Sequence, residues 1–312
     1  MGVIGVGDAD IDIYLNVAHL PSRDEKILAD GVEMHPGGMV ANMLACLSRL
    51  GTPASFHGLV GDDEFGRQTL ADLRAYGVNV DGAVIKSDTQ TYFCVVMLDS
   101  SGEKALIVAP TPAIFPEPAD INEAYVAQAS HLHTTGSNVE TALRATELAR
   151  AYGLTVSLDL EPTANFRSET RFQQLLAGVD VLFVNQRAVA QLGGNNGSLE
   201  AAAAQLTALG PKMICVTKGS EGVHLVAGDQ SFAIPAFPVP VIDSTGAGDC
   251  FAAGFVHGFL KGWPPPMAAL FASATASLNL RRRGGHAGAP TANEVNDLLN
   301  AHPTLKPIPQ HD

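Results

Sequence analysis

Charge is scarce in this chain. Only 16% of its 312 residues are Asp, Glu, Lys or Arg, which argues against long solvated tails. Positive charge is scarcer still: 19 Lys and Arg face 32 Asp and Glu, a formal net charge of −13. That excludes the broad basic footprint of nucleic-acid binding. It leaves room for a nucleotide ligand, because a small anion needs only a local nest of N–H groups, a metal or a few cations. The four cysteines, Cys46, Cys94, Cys215 and Cys250, contain no CxxC pair and each lies in an apolar run, so buried thiols in a reducing compartment are expected. No charged leader precedes VIGVG and no uncharged run is long enough to span a bilayer, so no membrane association is expected and a cytoplasmic location is. There is no Gly-Lys dipeptide, hence no Walker A loop, and no HExxH or GxSxG.

The 46% hydrophobic content suits a globular core. Val3 to Gly7 reads as a buried strand. Ile11, Ile13, Leu15 and Val17 alternate as a half-exposed strand would, and Lys26 to His35 continues in that manner. Val40, Leu44, Leu47 and Leu50 mark one face of a helix stopped by Gly51, and Asp62 is the expected cap of a helix carrying Phe65, Leu70 and Leu73. Thr91 to Asp99 and Lys104 to Ala109 flank Ser100-Ser101-Gly102, a hairpin signal. From Val126 onward, SHLHTTG, LTVSLDL, DVLFVN and KMICVT read as core strands, with helices near 139–152, 167–177 and 198–209 between them. A hairpin through GVHLVAGDQSFAIPAF and helices near 249–262, 266–282 and 291–300 complete the chain. The alternation predicts one α/β domain over 1–312 with a mainly parallel sheet covered by helices. The less buried strands near 11–35 and 91–109 are expected to form a small separate β-sheet.

Two local patterns are rejected. GVGDAD, residues 5–10, ends in Asp10 where a dinucleotide fingerprint needs a small residue, and no helix pattern follows. Asp8, Asp10 and Asp12 have the opening spacing of a calcium loop, but Ile13 and His19 occupy its glycine and glutamate positions. On a strand these three carboxylates would share one face. Either that face is an exposed strand end, or it meets a hydroxyl-rich ligand.

The segment DSTGAGDCFAAGF, residues 243–255, carries the clearest chemistry. A helix N-terminus presents unpaired N–H groups and partial positive charge, and glycines let a ligand approach them. Gly246, Ala247 and Gly248 before an apolar helix therefore suit charge developing on a transferring phosphoryl group. Asp249 at the helix start can take a proton from an attacking hydroxyl, with the helix dipole expected to keep its pKa low. Alone, the segment reads more readily as a plain capped turn. A second stretch, PGGMVANMLACLSRLG (residues 36–51), puts Gly37 and Gly38 before a helix and Asn42 in its first turns.

Together these stretches resemble the PfkB (ribokinase-like) carbohydrate kinase family, in that order and separation. GVGDADID, the hairpin near 91–109, TKGSEGV (217–223) and RRGGHAGAP extend the likeness over nearly the whole chain. The resemblance implies a ribokinase-like α/β fold whose small β-sheet is a lid, and ATP-dependent phosphorylation of a hydroxyl, expected to be primary, on a small sugar or sugar acid. By that likeness Asp249 is the base and Gly246, Ala247 and Gly248 the anion hole. Gly37, Gly38 and Asn42 hold the sugar, with Asp12 and its neighbour Asp10. Thr217, Gly219 and Gly222 line the ATP site, Asn279 lies on the helix flanking the adenine, and Asp243 and Thr245 match positions around a monovalent cation such as K+. Mg2+ is expected with the ATP. The family's N-x-x-E reads Asn185-Gln186-Arg187-Ala188 here, so the Asn is kept as a nucleotide-site residue and the Glu is missing; Asp159 and Glu161 either compensate or form a strand-end loop. His131 and His133 read as satisfied core or loop histidines rather than metal ligands. A nucleoside kinase on the same scaffold and a catalytically weak sugar- or nucleotide-binding regulator are the alternatives, and open lid edges predict a homodimer.

Overall fold

A computed structural model describes residues 2–99, 104–109, 111, 113–161, 170–193 and 199–310. The expected turn Ser100-Ser101-Gly102 lies outside them. The strands are β1 (Val3–Gly7), β2 (Asp10–Val17), β3 (Ala29–Gly37), β4 (Ala54–Gly61), β5 (Val84–Lys86), β6 (Phe93–Asp99), β7 (Lys104–Ala109), β8 (His131–Thr135), β9 (Thr155–Leu160), β10 (Val181–Asn185), β11 (Met213–Thr217), β12 (Val223–Ala227), β13 (Gln230–Ile234) and β14 (Ile308–Gln310). The helices are α1 (Met39–Arg49), α2 (Glu64–Ala75), α3 (Glu123–Val126), α4 (Val139–Ala151), α5 (Thr170–Ala177), α6 (Gln186–Gly193), α7 (Leu199–Thr207), α8 (Ala247–Leu260), α9 (Pro265–Asn279) and α10 (Ala292–Ala301).

Ten strands form one sheet in the order β14-β13-β12-β11-β10-β9-β8-β1-β4-β5. From β5 to β11 every pairing is parallel, and the last three strands add antiparallel. Side chains alternate between two cores. Phe183 of β10 packs edge-on against Phe251 and Phe255 of α8, on the face shared with Val40, Leu44 and Leu47 of α1. Its neighbours Leu182 and Val184 point the other way, to Leu143 and Leu148 of α4 and Leu175 of α5. Helix α8 is apolar all round and nearly all buried, as a helix wedged between a sheet and α9 must be. Each buried Phe or Leu contributes about 1.5–3 kcal/mol.

The smaller sheet runs β3-β2-β6-β7. Its hairpin β6–β7 is antiparallel as expected, but β2 and β6 pair parallel, so the sheet is mixed. The face bearing Asp10, Asp12 and Tyr14 turns inward; Ile13 and Leu15 point outward and are only half buried. Asp63, not Asp62, caps α2: its carboxylate accepts from Gly66 N at 2.8 Å and also from Thr91 N and Oγ1, while Asp62 stays exposed. The four cysteines are free and buried. Among the described residues no helix is long and apolar enough to cross a membrane.

Candidate active site

The C-terminal ends of the parallel strands carry Asp8 just after β1, Asp159 and Glu161 at the end of β9, Asn185 at the end of β10 and Thr217 at the end of β11. Ligands bind outside this edge in open α/β sheets. Asp8 does not share the face of Asp10 and Asp12. It precedes β2, and its carboxylate accepts from Met39 N (3.0 Å) and Val40 N (3.3 Å) at the tip of α1, where Gly38 supplies no side-chain cap. Gly38 has φ 96°, and a Cβ there would meet Ala9 Cα at 2.6 Å. Gly37 clears the space in front of Asp10 and Asp12; a Cβ on it would lie 2.6 Å from an oxygen of each.

Asp10 and Asp12 are buried beside Cys94, whose thiol donates to Asp10 Oδ2 at 3.6 Å. The other Asp10 oxygen, Oδ1, is buried with no partner among the described residues. Burial, then the charges of Asp12 and Asp8, push the Asp10 pKa well up. Burial and Glu161 raise Asp159 to about 8.

Helix α8 begins at Ala247 with Gly246 as its N-cap, in left-handed conformation (φ 73°), and no side chain caps it. A Cβ on Gly246 would strike the carbonyl of Gly285, so only glycine fits. Gly248 differs: a Cβ there would meet nothing within 4 Å. Asp249, third in the helix, is buried, and its Oδ2 accepts from Asn42 Nδ2 at 2.8 Å. The expected low pKa is corrected. Burial, then Asp159, Asp8 and Glu161, raise it well above the usual carboxylate range, and only the Asn42 hydrogen bond opposes them. Desolvation and like charge outweigh the helix dipole, whose effect is on the order of 1 kcal/mol.

Beside the α8 tip lies a cleft of about 610 Å³ lined by Thr217, Gly219, Gly222, Ala247, Gly248, Phe251 and the apolar chain 236–241. Three expected nucleotide-site residues are thus together. Two are not. Asn279 is fully buried and away from the cleft lining; its Nδ2 donates to the Thr245 and Gly285 carbonyls, tying the α8 entry loop to the loop after α9. Asn185 Oδ1 accepts from Ala188 N and caps α6, so the retained Asn has a local task where it stands. Asp243 and Thr245 also form a brace. Asp243 Oδ1 accepts from Thr245 N and Oγ1, and Oδ2 accepts from Tyr14 OH and Gly284 N at 3.0 Å each. Burial alone would raise the Asp243 pKa, but these donors bring it below the usual value. A carboxylate offers about four lone-pair sites, and these four donors meet them.

A family model described as pfkB family carbohydrate kinase matches residues 2–292. The chain belongs to that family. An ATP-dependent ribose-1-phosphate kinase of Halopiger xanaduensis is 31% identical over 300 residues, 96% of this chain and 98% of that protein. A Bacillus subtilis ribokinase is 28% identical, over 95% of this chain and 98% of its own length. The solved structure of Arabidopsis thaliana ribokinase with ribose and ATP superposes with a TM-score of 0.84 at 27% identity, covering 96% and 98% of the two chains. The fold is therefore ribokinase-like.

Within this family member, several contacts at the site go beyond the sequence motifs. His286, in the RRGGHAGAP segment, touches Asn42, and Asp72 touches His286. The glycine pair before His286 was the available signal, but no spacing rule links it to α1. His131 and His133 are core histidines as expected: both bond Ser157 Oγ at 2.8 Å, and burial lowers both to about 3.

Proposed function

We propose that this chain transfers the γ-phosphoryl group of ATP to a hydroxyl, expected to be primary, of a small uncharged sugar. The observation that carries this is Asp249 at the uncapped tip of α8, held by Asn42 and surrounded by carboxylates, while its helix neighbours Ala247 and Gly248 line the 610 Å³ cleft. The acceptor hydroxyl gives its proton to Asp249. Its oxygen forms the new bond to phosphorus while the bond to the β-phosphate oxygen breaks, leaving ADP. The raised pKa of Asp249 makes it a better proton acceptor near neutral pH than an ordinary aspartate. The backbone N–H groups at Gly246 to Gly248 face the charge that develops on the transferring group.

Asp10 and Asp12 accept hydrogen bonds from the sugar hydroxyls, with Gly37 and Gly38 shaping the pocket and Thr217, Gly219 and Gly222 lining the nucleotide cleft. Among the described residues, the main charge effects on Asp10, Asp159 and Asp249 come from other carboxylates. Such a pocket repels an anionic acceptor, which favours a neutral sugar over a sugar acid or sugar phosphate. Mg2+ fits the paired carboxylates of Asp159 and Glu161, whose mutual repulsion a hard divalent cation relieves. The ion supplies neutralisation of phosphate charge. The chain 1–312 acts as one kinase domain with the β3-β2-β6-β7 sheet as a lid that excludes water.

The lid's outer face carries Val32 (63% exposed), Met34 (50%) and Ile107 (55%) in register with Ile13, Leu15 and Val95. A second copy would cover it, giving a homodimer whose loss on Ile107→Lys is read by light scattering. The inner face of β7 offers Val108 and Leu106, both about half exposed, opposite Cys94 and Val96. That apolar strip favours a nucleoside as the second acceptor reading.

The test is Mg-ATP with D-ribose, D-fructose, D-gluconate, ribose 1-phosphate and adenosine, on wild type and Asp249→Asn. A neutral sugar is expected to be preferred and the variant inactive but still binding ADP. Preference for adenosine selects the second reading. Ligand binding without turnover overturns the kinase assignment, and full activity in Asp249→Asn overturns the base.

A further inference from the structure

His286 lies in the loop between α9 and α10, 3% exposed. Its Nδ1 is 2.7 Å from Asn42 Oδ1, and its Nε2 is 2.7 Å from Asp72 Oδ2 on α2. Its ring packs edge-on against Tyr76, with centroids 4.8 Å apart. Asn42 then reaches Asp249 at 2.8 Å. Three hydrogen bonds thus run Asp72, His286, Asn42, Asp249, through four separate pieces of the chain. Gly285 lets the loop close over Asn42, since a Cβ there would collide with the Asn42 amide.

The donor logic of this chain is restrictive. An ionised Asp249 can only accept, so Asn42 must turn its NH2 towards it. Asn42 Oδ1 then faces His286 and needs a donor, which requires a proton on Nδ1. Asp72, part exposed on the α2 surface, sets its carboxylate oxygen Oδ2 against the other ring nitrogen, Nε2, and so fixes the ring from behind. A flipped Asn42 would set acceptor against acceptor at Asp249 and donor against donor at His286. A buried mismatch of that kind costs about 1–3 kcal/mol per group.

We propose that His286, seated on Asp72, is a positioning residue that locks the Asn42 amide so that Asp249 is held ionised with one oxygen free for the acceptor hydroxyl. This rests on Asp249 being the base. Asp249 is faced by Asp8, Asp10, Asp159 and Glu161, all of which favour its protonated form; Asn42 is the donor that opposes them. His286 is faced by Asp72 and Tyr76 from α2 and by Asn42 from α1, and the Tyr76 hydroxyl feels Asp72, Arg49 and Arg282.

The first test needs no acceptor. Long-range ¹H–¹⁵N NMR of the ¹⁵N-histidine-labelled full chain, with His286 assigned by loss of its signals in His286→Asn, is expected to find Nδ1 protonated. A neutral ring protonated only at Nε2 overturns the proposal. The second is kinetic, with the preferred sugar of the panel. His286→Leu is expected to lower kcat about 10- to 100-fold, change the KM for ATP less than about 3-fold, and move the acid limb of kcat/KM to higher pH. His286→Asn, whose amide nitrogen stands near the place of Nδ1, is expected to recover kcat to within about 5-fold of wild type. Equal damage in both variants with the limb unmoved means a merely structural role and overturns the proposal. Should His286→Leu fail to fold, Asp72→Asn replaces it: an acid limb moved to higher pH supports the lock, and an unmoved one overturns it. An inactive Asp249→Asn beside an unaffected His286→Leu sinks this inference alone; full activity in Asp249→Asn sinks the base assignment beneath it.

Discussion

Helices α1 and α8 both start at a glycine with positive φ, and both bring unpaired N–H groups to the same corner of the fold. Their tips are treated differently. At α1, the Asp8 carboxylate from the preceding strand connection accepts from the first two helical N–H groups, and the tip is closed. At α8 no described side chain caps the tip, the acid in its first turn is drawn aside by Asn42, and among the described residues no atom outside the helix lies within 4 Å of where a Gly248 Cβ would stand. A helix end within a fold is ordinarily satisfied by a cap, water or ligand. The closed tip is architecture; the open one leaves its N–H groups for the proposed anion.

Four changes break or sharpen that contrast. Asp249→Asn has the largest expected effect, a fall in kcat of about 1000-fold or more with ADP binding retained, measured by coupled ADP release and calorimetry. Next is Gly248→Ala. It clashes with nothing and improves helix propensity, so thermal stability should hold or rise by up to about 1 kcal/mol. The methyl group nonetheless enters the place proposed for the anion, and kcat should fall about 100-fold. Loss of stability with activity intact would instead make Gly248 a packing residue. Asp8→Ala should show the reverse pattern: about 2 kcal/mol lost in urea unfolding from the uncapped α1 tip, with a much smaller loss of kcat than Gly248→Ala.

The smallest effect is on pH dependence. Asp159 sits near 8 in the folded chain against an ordinary 3.8, so between these values the native state holds the extra proton and stability falls as pH rises. His131 and His133, held near 3 against 6.5, act oppositely below pH 6.5. The metal-free protein should therefore melt progressively lower from about pH 6.5 to above pH 8, and Asp159→Asn should flatten that slope. Mg2+ should flatten it too if it binds at Asp159 and Glu161.

Much of the fold is legible from periodicity. Continuous apolar runs such as DVLFVN mark strands buried on both faces, and alternation at 11–17 marks a sheet covered on one. The strand β4 escapes because Ser55, His57 and three small residues interrupt its apolar pattern, although all of it is buried. The cap at Asp63 rather than Asp62 is decided by the hydroxyl and amide of Thr91, which no local rule can see. Asn279 misleads for the opposite reason. Its helix borders the cleft at Ser277 and Leu280, but helical rotation turns the residue between them inward.

The sequence by itself determined that an α/β sheet would carry a bare glycine helix tip followed by an acid, because strand alternation, helical period and the glycines' freedom from Cβ are local properties. Only the tertiary structure decided what each carboxylate does. Asp8 closes a helix, Asp243 braces two loops, Asp10 keeps one buried oxygen without a partner among the described residues and Asp249 is pressed towards its protonated form by its neighbours. Those outcomes depend on burial and on charges brought together from distant parts of the chain, and neither is encoded in spacing.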